Sequence, residues 1–235
     1  MIGFEKTRVA EEVARHLLRS IFDRTFRPGD RLPSERSLAS RLGVNRASLR
    51  EALKRLEFMG LVKTRQGDGT RVLDFMSSAG LELLQLLLPH AVEDSARLLK
   101  DLVEVRMVLG REMARLATRR CGPEDLAELR RVQREALARS KNRKDLLLAD
   151  TELFVTLGRA THNRVVQLLA NSIYTSVKHH PDIFVRVMPE AKSTLAYHQG
   201  LIDALAAGEA DVAADLTERY LDEIVDRLAE ERLPK

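Results

Sequence analysis

Five residues of one short stretch, Asn45, Arg46, Ser48, Arg50 and Lys54, have types and spacing suited to chemistry on a polyanion. Arg46, Arg50 and Lys54 recur every four residues, which on a helix sets them along one edge. Their cationic groups suit phosphate oxygens. At the start of that helix, Asn45, Arg46 and Ser48 offer donors for base edges. A cationic stripe by itself is usually a solvated surface, so the elements around it must decide.

Those elements agree with the stripe. Ser34, just after Pro33, is placed to cap a helix whose apolar stripe is Leu38, Ala39 and Leu42. Gly43 can take the positive φ that ends this helix. Asn45 is an N-cap for the next, whose stripe is Leu49, Ala52, Leu53 and Leu56. Two short helices about a tight turn make a helix-turn-helix. Residues 61–65 and 70–73 then read as extended runs about Gln66-Gly67-Asp68-Gly69, a β-hairpin. A hairpin directly after a recognition helix is a wing. Lys63, Arg65 and Arg71 charge it, and Gln66 and Gly67 at its tip can approach a groove. Ahead of these elements, residues 7–25 read as a helix with Val9, Val13, Leu17 and Ile21 inward.

Charge follows the same division. Residues 1–74 hold 16 Lys and Arg against 10 Asp and Glu, a net of +6, whereas the remaining residues hold 23 against 25, a net of −2. Positive charge concentrates where the stripe lies, as an electrostatic footprint for DNA requires. The 235 residues suffice for one large or two small domains. No apolar run approaches the roughly 18 residues of a membrane span, since the stretch at 81–90 is broken by Glu82, Gln85 and Pro89. The first residues lack the basic start and apolar stretch of a signal peptide. A single cysteine, Cys121, excludes an intramolecular disulfide and a CxxC zinc module, so a reducing cytoplasm is the expected location.

The stretch RPGDRLPSERSLASRLGVNRASLREALKRLEFMGLVKTRQGDGTRV resembles the winged helix-turn-helix of GntR-type bacterial transcription regulators. It covers about the first third of the chain. The resemblance implies that Arg36 contacts phosphate, that Asn45, Arg46, Ser48 and Arg50 read bases, and that Gln66 and Gly67 enter the minor groove.

After a small polar linker at 75–78, residues 79–235 read as helix throughout, over 79–88, 92–119, 123–140, 143–160, 165–177, 189–207 and 210–231. Gly122-Pro123 sets proline at a helix start, and Gly208 closes the penultimate helix. The expected fold class is mainly α: a winged helix-turn-helix at 1–74 with a small hairpin wing, followed by an all-α bundle. An all-helical tail behind such a head is similar to the FadR subfamily, which implies a helical effector-binding and dimerising domain.

A bundle interior should be apolar, so polar residues on inward stripes are informative. Arg106 falls among Leu99, Val103, Gly110 and Met113, and Asp150 among Leu147, Phe154 and Leu157. His198 lies with Leu195, Leu201, Ile202 and Leu205, and Tyr220 with Leu216, Ile224 and Leu228. Four helices each point one polar group inward. Unpaired buried charge costs several kcal/mol, so these groups should meet one another or a ligand. Both a structural network and an effector pocket answer that description.

The subsidiary resemblance bears on metal. Many FadR-type tails bind a divalent ion through one aspartate and three histidines. Asp150 and His198 have counterparts there, but Val155 and Tyr220 stand where the other two histidines would be. One carboxylate and one imidazole do not make a divalent site, so no metal and no other cofactor is expected. The pattern is more similar to the metal-free, fatty-acyl-CoA-responsive branch, with DFMSSAGLELLQLL and ADTELFVTLGRATHN alike. It departs from that branch in the last helix, where Leu221, Ile224 and Val225 are bulky. Fatty acyl-CoA, or a small carboxylate held by Arg106, is the effector expected.

Together these readings describe a ligand-responsive transcription regulator, a homodimer whose two heads read a palindromic operator on double-stranded DNA. Effector binding would shift the relative orientation of the heads. The alternative is an architectural DNA binder whose tail only dimerises. An enzyme using Asp150 and His198 as acid and base is disfavoured, because no nucleophile motif, phosphate loop or metal triad accompanies them; no catalytic residue is expected.

Overall fold

A computed structural model describes residues 2–83, 87–88 and 95–230. The chain divides into two compact units, Met1–His90 and Ala91–Lys235.

The first unit is a winged helix-turn-helix. Helix α1 (Ile2–Phe22) packs on α3 (Arg46–Phe58), and α2 (Glu35–Leu42) leads into α3 through a tight corner. The local chemistry of that corner follows the sequence. Ser34 Oγ accepts from the Ser37 amide. Gly43 ends α2 at φ +65°, a left-handed conformation that glycine adopts at little cost. Asn45 Oδ1 accepts from the Ser48 amide at 2.8 Å and caps α3. Leu17, Ile21, Leu38, Leu49, Leu53 and Leu56 meet in the core of this unit.

Strands β1 (Val62–Arg65) and β2 (Gly69–Val72) pair antiparallel, with Val62 opposite Val72 and Arg65 opposite Gly69. An isolated bridge from Arg31 to Arg71 fastens the hairpin to the segment before α2. Residues 75–78, expected as a linker, form the short helix α4 (Phe75–Ser78) and belong to the first unit, which runs on to His90. Phe75 packs edge-on against Phe22, and Ser78 Oγ donates to the Gly60 carbonyl at 2.7 Å. Gly60, at φ +72°, leaves no room for a side chain, since an added Cβ would lie 2.4 Å from the Ser78 carbonyl oxygen. The helix expected over 79–88 is a 3-10 turn at Leu81–Leu83; residues 84–86 of that expectation lie outside the described residues.

The second unit is all-α among the described residues. It comprises α5 (Ser95–Arg120), α6 (Pro123–Arg139), α7 (Arg143–Ala160), α8 (Arg164–His179), α9 (Pro181–Phe184), α10 (Ala191–Ala207) and α11 (Ala210–Glu230). The expected spans match these to within a few residues, apart from α9, which the apolar periodicity did not announce; residues 92–94 and 231 of the expected spans lie outside the described residues. Helices α5 and α11 pair along their length. Helix α7 packs between α6 and α8 and is buried over most of its surface. Met113, Leu129, Leu153, Leu157 and Leu201 form the centre of the core.

Candidate nucleic-acid face and effector cavity

Helix α3 presents Arg46, Arg50 and Lys54 on its exposed side, and Asn45 is exposed at its start. Arg36 is exposed on α2, and Gln66 and Gly67 are exposed at the wing tip. Arg50 Nε lies 3.6 Å from Glu35 Oε1, a solvent-exposed pair that holds the guanidinium only loosely.

Ser48 does not stand with them. It is 0% exposed, and its hydroxyl has no hydrogen-bond partner. Its expected role at the base-reading edge is therefore corrected: Ser48 faces the core of the unit, one helical turn before the buried Ala52. Arg71 also departs from the simple picture of wing charge. Its Nε and Nη2 donate to the two Asp68 oxygens at 2.7 and 2.9 Å, and its Nη1 donates to the Gly29 carbonyl at 3.1 Å. This fork holds the Asp68 carboxyl below its ordinary range and ties the wing together.

In the helical unit, the four inward polar residues converge. Arg106 Nη2 donates to Asp150 Oδ2 at 2.8 Å, and His198 Nε2 donates to Asp150 Oδ1 at 3.0 Å. Asp150 and His198 are 1% and 0% exposed. Burial pushes the Asp150 carboxyl up, but the Arg106 charge and the His198 hydrogen bond more than reverse this, leaving it at about 2. Tyr220 completes the group beside them. Its ring stacks on Tyr197 at 4.2 Å, and its hydroxyl lies 3.3 Å from Thr194 Oγ1. Burial first, then the Asp150 charge, pushes the Tyr220 phenol well above its usual value, so it remains a neutral donor. Phe154 lies under the Arg106 guanidinium at 5.1 Å.

Arg106, Asp150 and Tyr220 line a narrow, partly open cavity. Its other walls are apolar: Leu102 and Val103 on α5, Leu147 on α7, Ile173 and Val177 on α8, and Ile224 on α11. Phe184, Val187 and Met188, from α9 and the turn after it, close one side. Sequence periodicity missed this wall, because the segment between Pro181 and Pro189 is too short for a repeat. Two buried donor or acceptor atoms of the polar group lack a partner, Arg106 Nε and His198 Nδ1.

The residues do not fit a divalent metal. Both Asp150 oxygens are committed, to Arg106 and to His198, and the guanidinium holds the position a cation would need. Among the described residues, no group of three His, Cys, Asp or Glu side chains is placed to hold an ion.

A recognition helix with a wing, in one unit, and a helical bundle with a polar-anchored cavity, in another, define a one-chain regulator that joins a DNA reader to an effector domain. Residues 9–72 match the family described as bacterial regulatory proteins, gntR family, and residues 101–223 match the FCD domain. The chain belongs to the GntR family of transcription regulators and carries an FCD domain as its effector-binding part. An uncharacterized HTH-type transcriptional regulator of Mycobacterium tuberculosis is 33% identical over 92% of this chain and 88% of its own length. The Glc operon transcriptional activator of Escherichia coli is 34% identical over 74% and 72%, and the fatty acid metabolism regulator protein of Klebsiella pneumoniae 30% over 87% and 84%. Among solved structures, a Streptococcus agalactiae GntR protein aligns with a TM-score of 0.51 at 25% identity, covering 92% of this chain and 98% of that one. Among the described residues, no helix is long and apolar enough to cross a membrane.

Proposed function

We propose that the protein is a cytoplasmic, homodimeric regulator whose operator affinity is changed by a fatty acyl thioester bound in the helical unit. The observation that carries this reading is the cavity beside Arg106: apolar walls with one buried guanidinium nitrogen, Nε, still lacking an acceptor. Apolar walls favour an aliphatic chain, and the free Nε–H calls for an oxygen acceptor at its end.

Charge compensation selects the kind of acceptor. Asp150, with its carboxyl held at about 2, is ionised at neutral pH and balances Arg106. A free carboxylate entering the cavity would meet Asp150 repulsion along with Arg106 attraction. An uncharged carbonyl, such as that of an acyl thioester, takes the hydrogen bond without that repulsion. The name of the Klebsiella pneumoniae relative agrees with this class. On the DNA side, Arg46 and Asn45 would read bases, Arg36, Arg50 and Lys54 would hold phosphates, and Gln66 and Gly67 would approach the minor groove.

One observation favours a second reading. Asp150 is fully satisfied within the protein, as a structural network would require, and a tail that only dimerises would need no more. Fluorescence anisotropy on the DNA upstream of the gene, with and without long-chain acyl-CoA, separates the two. Release by acyl-CoA and not by the matching free fatty acid is expected. Binding that neither compound alters would sink the acyl-thioester assignment and favour the architectural reading.

A further inference from the structure

The wall made by Phe184, Val187 and Met188 is held differently from the rest of the cavity. Its three side chains are buried, yet the backbone beneath them leaves the helical pattern after α9. Local main-chain hydrogen bonds link Ile183 to His180, Val185 to Pro181 and Val187 to Phe184. Besides the burial of these three side chains, one side chain ties the segment's backbone to the bundle. Arg143, the first residue of α7, donates through Nη2 to the Met188 carbonyl at 2.7 Å and the Val185 carbonyl at 3.3 Å. Its Nη1 reaches Glu190 Oε1 at 3.3 Å, and the same oxygen receives Arg227 Nη1 at 3.4 Å. A second tie, Lys144 to Asp182 at 2.5 Å, is exposed on both sides.

We propose that residues 181–190 form a strap that opens to admit ligand, and that Arg143 is the clasp that sets how often it opens. The inference rests on the cavity being the effector site. The other walls are helices closed by their own hydrogen bonds and packed into the bundle core, so moving them disrupts many contacts at once. The strap can swing without breaking a helix: lifting it releases the Arg143 fork, exposes three apolar side chains and uncovers Arg106. Arg143 is a positioning residue, since it lines no part of the cavity and acts on the ligand only through the strap. Only a guanidinium supplies donors in a fork that spans two carbonyls and a carboxylate, so lysine should not replace it.

The test uses the full-length protein and Arg143→Ala and Arg143→Lys variants, with two readouts. The first is amide hydrogen exchange without any ligand. Both variants should exchange the amides of residues 183–188 and 190 about fivefold or more faster, with those of α5 and α10 unchanged. The second is stopped-flow binding of the neutral apolar fluorophore N-phenyl-1-naphthylamine. Its association and dissociation rates should rise together in the variants while the Kd changes little. Unchanged exchange in the strap, acceleration spread over the whole bundle, or unaltered probe rates would each overturn the proposal. Failure of the wild-type protein to bind the probe would count against the cavity as an apolar ligand site, and the exchange comparison would then still decide the clasp.

Discussion

Arg106 Nη2 and Asp150 Oδ2, 44 residues apart in the chain, stand 2.8 Å from one another inside the helical unit. A buried pair of this kind is costly to break and less costly to replace. Asp150→Leu should therefore strand the Arg106 guanidinium and destabilise the helical unit by about 3–5 kcal/mol. The double variant Arg106→Met, Asp150→Leu should recover much of that loss. Urea unfolding of the full chain, followed by circular dichroism, measures both. A double variant as unstable as the single would mean that the pair itself, and not the stranded charge, holds the unit together.

The same carboxylate makes stability depend on pH. Its folded pKa, about 2, lies below the ordinary 3.8. A lowered carboxyl pKa stabilises the fold above the unfolded value, and that stabilisation is lost as pH falls through the folded value. The gap in melting temperature between the wild type and Asp150→Asn should thus be constant above about pH 4 and shrink steadily towards about pH 2. Thermal melts at half-unit pH steps would show it. A gap that persists undiminished at the acid end would contradict the ionised pairing of Asp150.

Ser48 gives a prediction of opposite sign. Its buried hydroxyl has no partner, which costs about 1–3 kcal/mol of desolvation, and alanine is the better helix former. Ser48→Ala should raise the melting temperature and leave operator affinity within about twofold of the wild type. A large loss of DNA affinity in anisotropy titrations would show that Ser48 turns outward to the bases after all.

Ser48 also shows what sequence reading made legible and what it did not. The caps at Ser34, Gly43 and Asn45 were plain because each solves a local backbone problem that few residue types can solve. Polar residues were harder to place. Ser48 was read by its chemistry, although its spacing to Ala52 and Leu56, at four and eight residues, already set it on the buried face. Where the polar residue interrupted a long apolar stripe, as at Arg106, Asp150, His198 and Tyr220, spacing was a sufficient guide, and three of the four prove directly bonded. Which of them pair, and that Tyr197 stacks on Tyr220, depends on how α10 meets α11. The strap lay beyond reach, because the nine-residue segment from Pro181 to Pro189 has no period, and Arg143 reads as one more exposed helix-start cation.

Arg46 and Lys54 share one exposed edge of α3 but should fail differently. On the proposed reading Arg46, at the helix start, meets base edges, so Arg46→Ala should cost about 1–3 kcal/mol on the operator and little on unrelated DNA. Lys54, two turns on, is proposed to hold phosphate. Lys54→Ala should weaken operator and unrelated DNA alike and lower the slope of log affinity against log salt by about one. Titrations of both variants at four salt concentrations, on operator and scrambled DNA, separate these patterns. Equal losses on both DNAs for Arg46→Ala would move its contact from base to backbone, leaving Asn45 as the proposed reader of sequence. The change in salt slope then becomes the deciding quantity, because a phosphate contact must release counterions and a base contact need not.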